Sequence, residues 1–356
     1  MESLVMNNLF WKNKKVFLTG HTGFKGSWLS LWLTQMGAKV YGYSLDPYTT
    51  PNLFDILQLK SRIQNSQIAD LRDIVSLKKS LKAASPDIVI HMAAQPLVRY
   101  SYVNPLETYE TNVMGTINLF EAIRESKSVR AVINVTTDKC YENKEWIWPY
   151  RENEAMGGFD PYSNSKACSE LITSSYRRSF FNNQGILLAS ARAGNVIGGG
   201  DWSKERLIPD FLNALDSKET LLIRSPNAIR PWQHVLEPLN GYLKLAEKLY
   251  LGENEFAEGW NFGPNENDSK PVMFIVEHLC ARAGGASWDL DKKQQPHEAN
   301  ILKLDTSKAR QKLQWYPRWD LEYTLDKILE WHDEWKNDSD MYNVCLKQIS
   351  DYETSV

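Results

Sequence analysis

The segment Thr19-Gly20-His21-Thr22-Gly23-Phe24-Lys25-Gly26 constrains this chain more than any other. It follows an apolar run at 15–19. It opens a stretch, 26–37, with Trp28, Leu29, Leu31, Trp32, Leu33 and Met36 at helical spacing. Strand, glycine turn and helix in that order predict the first crossover of a parallel sheet. Glycines at 20, 23 and 26 leave no Cβ in the way at those three positions of the turn. Backbone N–H groups and a helix N-terminus can then face a pyrophosphate. Thr22 and Phe24 lie in the same turn and are candidate dinucleotide contacts beside Gly20, Gly23 and Gly26.

The alternation continues. Further strands are expected at 39–43, ending near Asp70, at 88–91, at 131–135 and at 186–192. Helices are expected from Asp73 to about residue 83, over 105–124 and over 161–180. This predicts an α/β fold with a doubly wound parallel (Rossmann) sheet. Beyond Asn195 the pattern loosens, with helices near 207–215, 236–251, 272–283 and 321–335. Residues 1–190 therefore read as a dinucleotide-binding domain. Residues 191–336 read mainly as a smaller, interleaved α/β substrate-binding lobe that returns some chain to the first domain. Residues 337–356 read as a C-terminal surface tail.

Charge excludes some partners. A net charge of -3 over 356 residues leaves no footprint for nucleic acid or an anionic membrane. No run approaches the roughly 18 apolar residues of a spanning helix. Lys12, Lys14 and Lys15 follow polar residues where a signal sequence would be apolar. Cys140, Cys168, Cys280 and Cys345 show no CxxC spacing. That favours free thiols in a reducing, cytoplasmic setting over a disulfide or a metal site.

Tyr162 and Lys166, in Tyr162-Ser163-Asn164-Ser165-Lys166, share one helix face. The ammonium is expected to lower the phenol's pKa from about 10, so that the phenolate takes a proton from an alcohol. Thr137 ends the fifth strand, at the sheet edge where ligands gather, and can orient that alcohol. Lys166 would also hold the nicotinamide ribose. Asp46 lies 20 residues beyond Gly26, the usual distance for a ribose-binding carboxylate, yet it also precedes Pro47 as a turn residue would. No Lys or Arg lies between Lys39 and Lys60 to clamp a 2′-phosphate, so NAD is favoured over NADP. Asp70, followed by Leu71, has two open roles: accepting from an adenine amino group, or capping the next helix.

Longer strings extend these motifs: His91-Met92-Ala93-Ala94-Gln95, Thr137-Asp138-Lys139-Cys140-Tyr141, Gly198-Gly199-Gly200-Asp201-Trp202 and Arg230-Pro231-Trp232-Gln233-His234-Val235. Together they resemble the extended short-chain dehydrogenase/reductases that act on nucleotide sugars. The likeness covers almost the whole chain. The longer strings narrow it to the 4,6-dehydratases, with CDP-glucose as the implied substrate. It implies NAD-mediated oxidation at sugar C4, loss of water across C5 and C6, and hydride return to C6.

The resemblance also implies roles. Ala93 and Ala94 would lie beside the cofactor, Asn112 would be structural in the long helix, and Asp138 would be the acid at the C6 hydroxyl. Relatives acting on other nucleotides carry Glu as the C5 base where this chain has Lys139, which at its resting pKa of about 10.4 is protonated. Base, electrostatic stabiliser and plain ion pair with Asp138 are all open to it. Gln95, Thr137, Asn195, Arg206 and Arg230 are implied substrate contacts, while His234 is either a nucleotide contact or a packed core histidine. A homodimer or dimer of dimers is implied, as is deoxysugar supply for surface polysaccharide such as the O-antigen of lipopolysaccharide. A nucleotide-sugar 4-epimerase would use the same Thr, Tyr and Lys. A nucleotide-sensing protein would break the set.

Overall fold

The computed structural model describes residues 8–293 and 299–355. Its strands are β1 (Lys15–Thr19), β2 (Lys39–Ser44), β3 (Asn65–Ile68), β4 (Ile88–His91), β5 (Ala131–Val135) and β6 (Leu187–Ala193). These are followed by β7 (Asn195–Ile197), β8 (Thr220–Ile223), β9 (Ile229–His234), β10 (Gly259–Phe262), β11 (Ser269–Pro271) and β12 (Ser287–Leu290). The longer helices are α1 (Phe24–Gln35), α2 (Ile74–Ala84), α3 (Gly115–Arg124), α4 (Pro161–Tyr176) and α5 (Leu207–Ser217). They continue with α6 (Leu236–Tyr250), α7 (Val272–Ala283), α8 (Leu321–Lys336) and α9 (Met341–Thr354).

Seven strands form an all-parallel sheet in the order β10-β6-β5-β4-β1-β2-β3. The order reverses between β1 and β4, and there the carboxyl ends open a crevice. Every residue of β5 and β6 is buried, as a parallel sheet covered on both faces requires. Alternation feeds two cores. Val16 and Leu18 join Trp28, Trp32 and Leu239 on one face, while Phe17 joins Leu77, Leu119 and Phe181 on the other. The helix expected over 105–124 contains a widened π turn, Glu110–Met114, immediately before α3.

The lobe has its own small sheets. β7 runs parallel to β9, β9 antiparallel to β11, and β8 parallel to β12. α5, α7 and α8 close a third core around Phe211, Trp232, Ile275 and Leu325. β10 and α6, far along the chain, return to the main sheet and its cover.

The stretch beyond residue 336 is not a surface tail. α1 is buried without interruption from Gly26 to Leu33, so it needs cover on its outer side as well as against the sheet. α9 supplies that cover and buries Cys345, Ile349 and Tyr352 completely. Trp32 Nε1 donates to Glu353 Oε1 at 2.8 Å, and Arg318 Nη1 caps the end of α9 by donating to the Glu353 carbonyl at 2.7 Å. Glu237 on α6 fastens the arrangement. It accepts from the Trp319 N–H at 2.8 Å, the Arg318 N–H at 2.9 Å and the Tyr352 hydroxyl at 2.7 Å. Burial nevertheless pushes Glu237 up to about 7.

Tyr352→Phe removes one donor to this buried carboxylate, a loss of about 1.5–3 kcal/mol when Glu237 is ionised. Calorimetry at about pH 8 should show the unfolding midpoint lowered by roughly 2–4 °C. An unchanged midpoint would show that α9 is not anchored through Glu237.

Candidate active site

The lobe roofs the crevice at the carboxyl ends of β1, β2, β4 and β5 into a cleft of about 730 Å³. Gly20 has a φ of +77°, and a Cβ there would lie 2.7 Å from the Ala93 nitrogen, so only glycine lets the turn press on the end of β4. A Cβ at Gly26 would lie 2.0 Å from the Gly20 carbonyl oxygen. Gly23 caps α1 without a side chain, which leaves first-turn N–H groups for an anion. Phe24 shares this wall. Thr22 ties the turn to the end of β2 by donating to the Leu45 carbonyl at 2.8 Å. Asp46, Leu71, Ala93 and Ala94 line the same cleft. A turn with glycine at each close approach, an uncapped helix start and a carboxylate after β2 fit a dinucleotide.

Asp70 also lines the cleft, but Arg72 engages its carboxylate through Nη2 at 2.6 Å and the backbone N–H at 2.8 Å. Arg72 holds that carboxylate below its usual range. The cap of α2 is Asp73, which accepts from the N–H groups of Val75 and Ser76.

α4 begins where its chemistry is needed. Asp160 caps it by accepting from the Ser163 N–H at 2.9 Å, and Pro161 suits the first turn. Tyr162 and Lys166 thus face the end of β5. Asn112, in the π turn, fixes this placement. Its Oδ1 accepts from the Gln95 N–H at 2.8 Å, and its Nδ2 donates to Gln95 O at 3.0 Å and Ser165 Oγ at 2.9 Å. Lys166 Nζ donates to the Val135 carbonyl at 3.1 Å, pinning helix to strand.

The lowered phenol pKa expected from the sequence is not found. Burial pushes Tyr162 up to about 12 and outweighs the Thr137 hydroxyl and the Arg206 guanidinium, which both favour the phenolate. Burial also lowers Lys166 to about 8, against the pull of Glu170. At these buried positions desolvation outweighs pairing. Asp138 follows the same rule: it is buried, and burial raises its pKa against Lys139, Thr137 and Arg230. Its Oδ1 accepts from the Thr137 hydroxyl at 3.0 Å, while Oδ2 has no hydrogen-bond partner among the described residues. Such a carboxyl is suited to donate a proton. Lys139 follows it in one short turn on the cleft wall.

On the substrate side, Gln95, Thr137, Asn195, Arg206 and Arg230 line the cleft. Arg206 Nη1 meets Asp201 Oδ2 at 3.0 Å, and Arg230 Nη1 donates to the Ile229 carbonyl at 3.0 Å. The Gln95 side-chain amide is engaged by Thr108 and Leu97, so it shapes the wall. His234 is not a nucleotide contact. Its ring is fully buried, 4.8 Å from that of Trp319, and off the cleft wall. β9 carries it past the rim to where Trp28 and Trp319 enclose it, and burial lowers it to about 3.

Sequence reasoning missed Lys25, Tyr48, Asp201 and Ser203 on the cleft wall. The Tyr48 hydroxyl donates to Ser203 Oγ, strapping the loop after β2 to the lobe. Lys25 carried a signal, a cation inside a phosphate-type turn, but that turn was legible first through its glycines.

Known proteins resemble the chain along its length. A CDP-glucose 4,6-dehydratase of Salmonella typhimurium is 56% identical over 349 residues, covering 96% of this chain and 97% of the relative. An epimerase of Methanothermobacter thermautotrophicus superposes with a TM-score of 0.80 at 20% identity, covering 94% of this chain and 97% of that one. A dTDP-glucose 4,6-dehydratase of Bacillus anthracis, solved in complex with NAD, gives a TM-score of 0.75 at 19% identity, covering 92% and 99%. The family profile described as GDP-mannose 4,6 dehydratase matches residues 17–328, and the chain belongs to that family.

Proposed function

We propose that this chain is an NAD-dependent CDP-glucose 4,6-dehydratase, forming CDP-4-dehydro-6-deoxy-D-glucose and water. Asp138 carries the reading. A buried carboxyl with a raised pKa beside Thr137 and Tyr162 serves an elimination, which an epimerase does not perform. The 56% identity to the Salmonella enzyme supports the choice of nucleotide.

The glycine turn would hold NAD, with Asp46 at one ribose and Lys166 at the other. When bound, NAD accepts hydride from C4 of the sugar and returns it at C6. Thr137 orients the C4 hydroxyl, and Tyr162 takes its proton. Once C4 is a ketone the C5 proton is acidic; it passes to a water or another base and is returned to C5 when hydride reaches C6, and Lys139 offsets the negative charge that develops in between. Asp138 gives its proton to the C6 hydroxyl, which departs as water. Asn195, Arg206 and Arg230 hold the diphosphate, where the planar arginine fork matches phosphate oxygens.

The product is an activated deoxysugar precursor, fit for surface polysaccharide such as O-antigen. Exposed Leu106, Met114 and Leu171, on the helical segments around Asn112 and Tyr162, support a homodimer through that face. The four thiols are free, which fits a reducing cytoplasm. Among the described residues no helix is long and apolar enough to cross a membrane.

Mass spectrometry tests the reading directly. CDP-glucose should lose the mass of one water with no net reduction of added NAD, whereas turnover of another nucleotide sugar alone would overturn the nucleotide assignment. Asp138→Asn should lower turnover about 100- to 10,000-fold. In deuterated solvent it should still exchange the C5 hydrogen, and normal water loss would remove Asp138 from the acid role. Tyr162→Phe should lower turnover by a similar factor, about 100- to 10,000-fold, with CDP affinity unchanged. Full activity in that variant would contradict the assignment of the base.

A further inference from the structure

Lys25 has no part in the dehydratase reading, on which this inference rests. It lies in the first turn of α1, half-buried on the cleft wall. It forms neither a hydrogen bond nor an ion pair with any described residue. Three charged groups from three other segments line the same cleft and act on its charge: Arg206 ahead of α5, Lys166 on α4 and Asp138 after β5. Arg206 has Asp201 as its counter-charge at 3.0 Å, and Lys166 has Glu170 one helical turn away. Lys25 has no such carboxylate, because Asp138 is itself biased by burial toward its neutral form. A half-buried ammonium among cations, with no partner, gains when an anion joins it.

We infer that Lys25 binds a diphosphate, with Nζ donating to a phosphate oxygen between the glycine turn and Arg206. Two diphosphates enter this cleft, that of the dinucleotide and that of the nucleotide sugar, and both present the same acceptor. Burial, Arg206 and Lys166 lower Lys25 to about 7. A bound anion raises it again, so binding takes up a proton and affinity falls as pH rises above that value. Lys166, lowered to about 8, titrates nearby. The share of Lys25 is therefore the difference between parent and variant.

Tryptophan-fluorescence titrations with NAD and, separately, with CDP test this at about pH 6.5 and about pH 8.5 on the parent, Lys25→Met and Lys25→Arg. Lys25→Met should bind one ligand about 10- to 100-fold more weakly at the lower pH, with the other ligand as the control for folding. Lys25→Arg should stay within about threefold of the parent. The parent should also lose more affinity with rising pH than Lys25→Met. A loss confined to NAD assigns the dinucleotide, and a loss confined to CDP assigns the nucleotide sugar. If Lys25→Met binds both like the parent, the inference fails and the dehydratase reading stands. Loss of both ligands without rescue by arginine marks a structural role and also overturns it. A parent that binds neither ligand overturns both.

Discussion

α1 enters the sheet so closely that Gly26 faces the Gly20 carbonyl with no room for another atom. Everything in the cleft is referenced to that contact. The same helix reaches into the lobe, where Trp28 Nε1 donates to the Gly199 carbonyl at 3.0 Å. Gly199 in turn lies under Trp331 of α8, where a Cβ would meet the ring at 2.2 Å. α9 closes the outer side through Trp32 and Tyr352. The cofactor turn, the roof of the cleft and the C-terminal helix therefore form one packed unit, and the helix between them has no solvated face to spare.

Water exclusion governs the chemistry inside that unit. Tyr162 is raised, Lys166 and Lys25 are lowered, and Asp138 is raised, and in each case burial is the first cause. Each group is biased toward its neutral form. For Asp138 that bias favours the protonated carboxyl, which is the ground for the acid role proposed for it. For Tyr162 it opposes the phenolate, which the Arg206 guanidinium favours and which the positive charge of a bound, oxidised nicotinamide would favour further. For Lys25 the same bias makes an incoming phosphate the missing counterpart.

Much of this was legible in the sequence. β1 through β6, the glycine turn and the Tyr162/Lys166 pair were readable because apolar period, glycine spacing and i,i+4 geometry are local properties. What was not legible depends on distant partners. α9 looks polar by itself, and its docking is demanded by the uninterrupted burial of α1 from Gly26 to Leu33. The burial of His234 depends on Trp28 and Trp319, from the two ends of the chain. The direction of the Tyr162 shift depends on cleft desolvation, which no motif encodes. Asp70 fits its motif, yet Arg72, two residues on, already occupies its carboxylate.

Internal transfer of hydrogen from C4 to C6 separates this cleft from that of an epimerase more sharply than any structural feature. CDP-glucose carrying deuterium at C4, followed by NMR through a single turnover, measures it directly. The label should reappear on the C6 methyl group of a 4-keto product. Label retained at C4, or lost to solvent, would contradict the account.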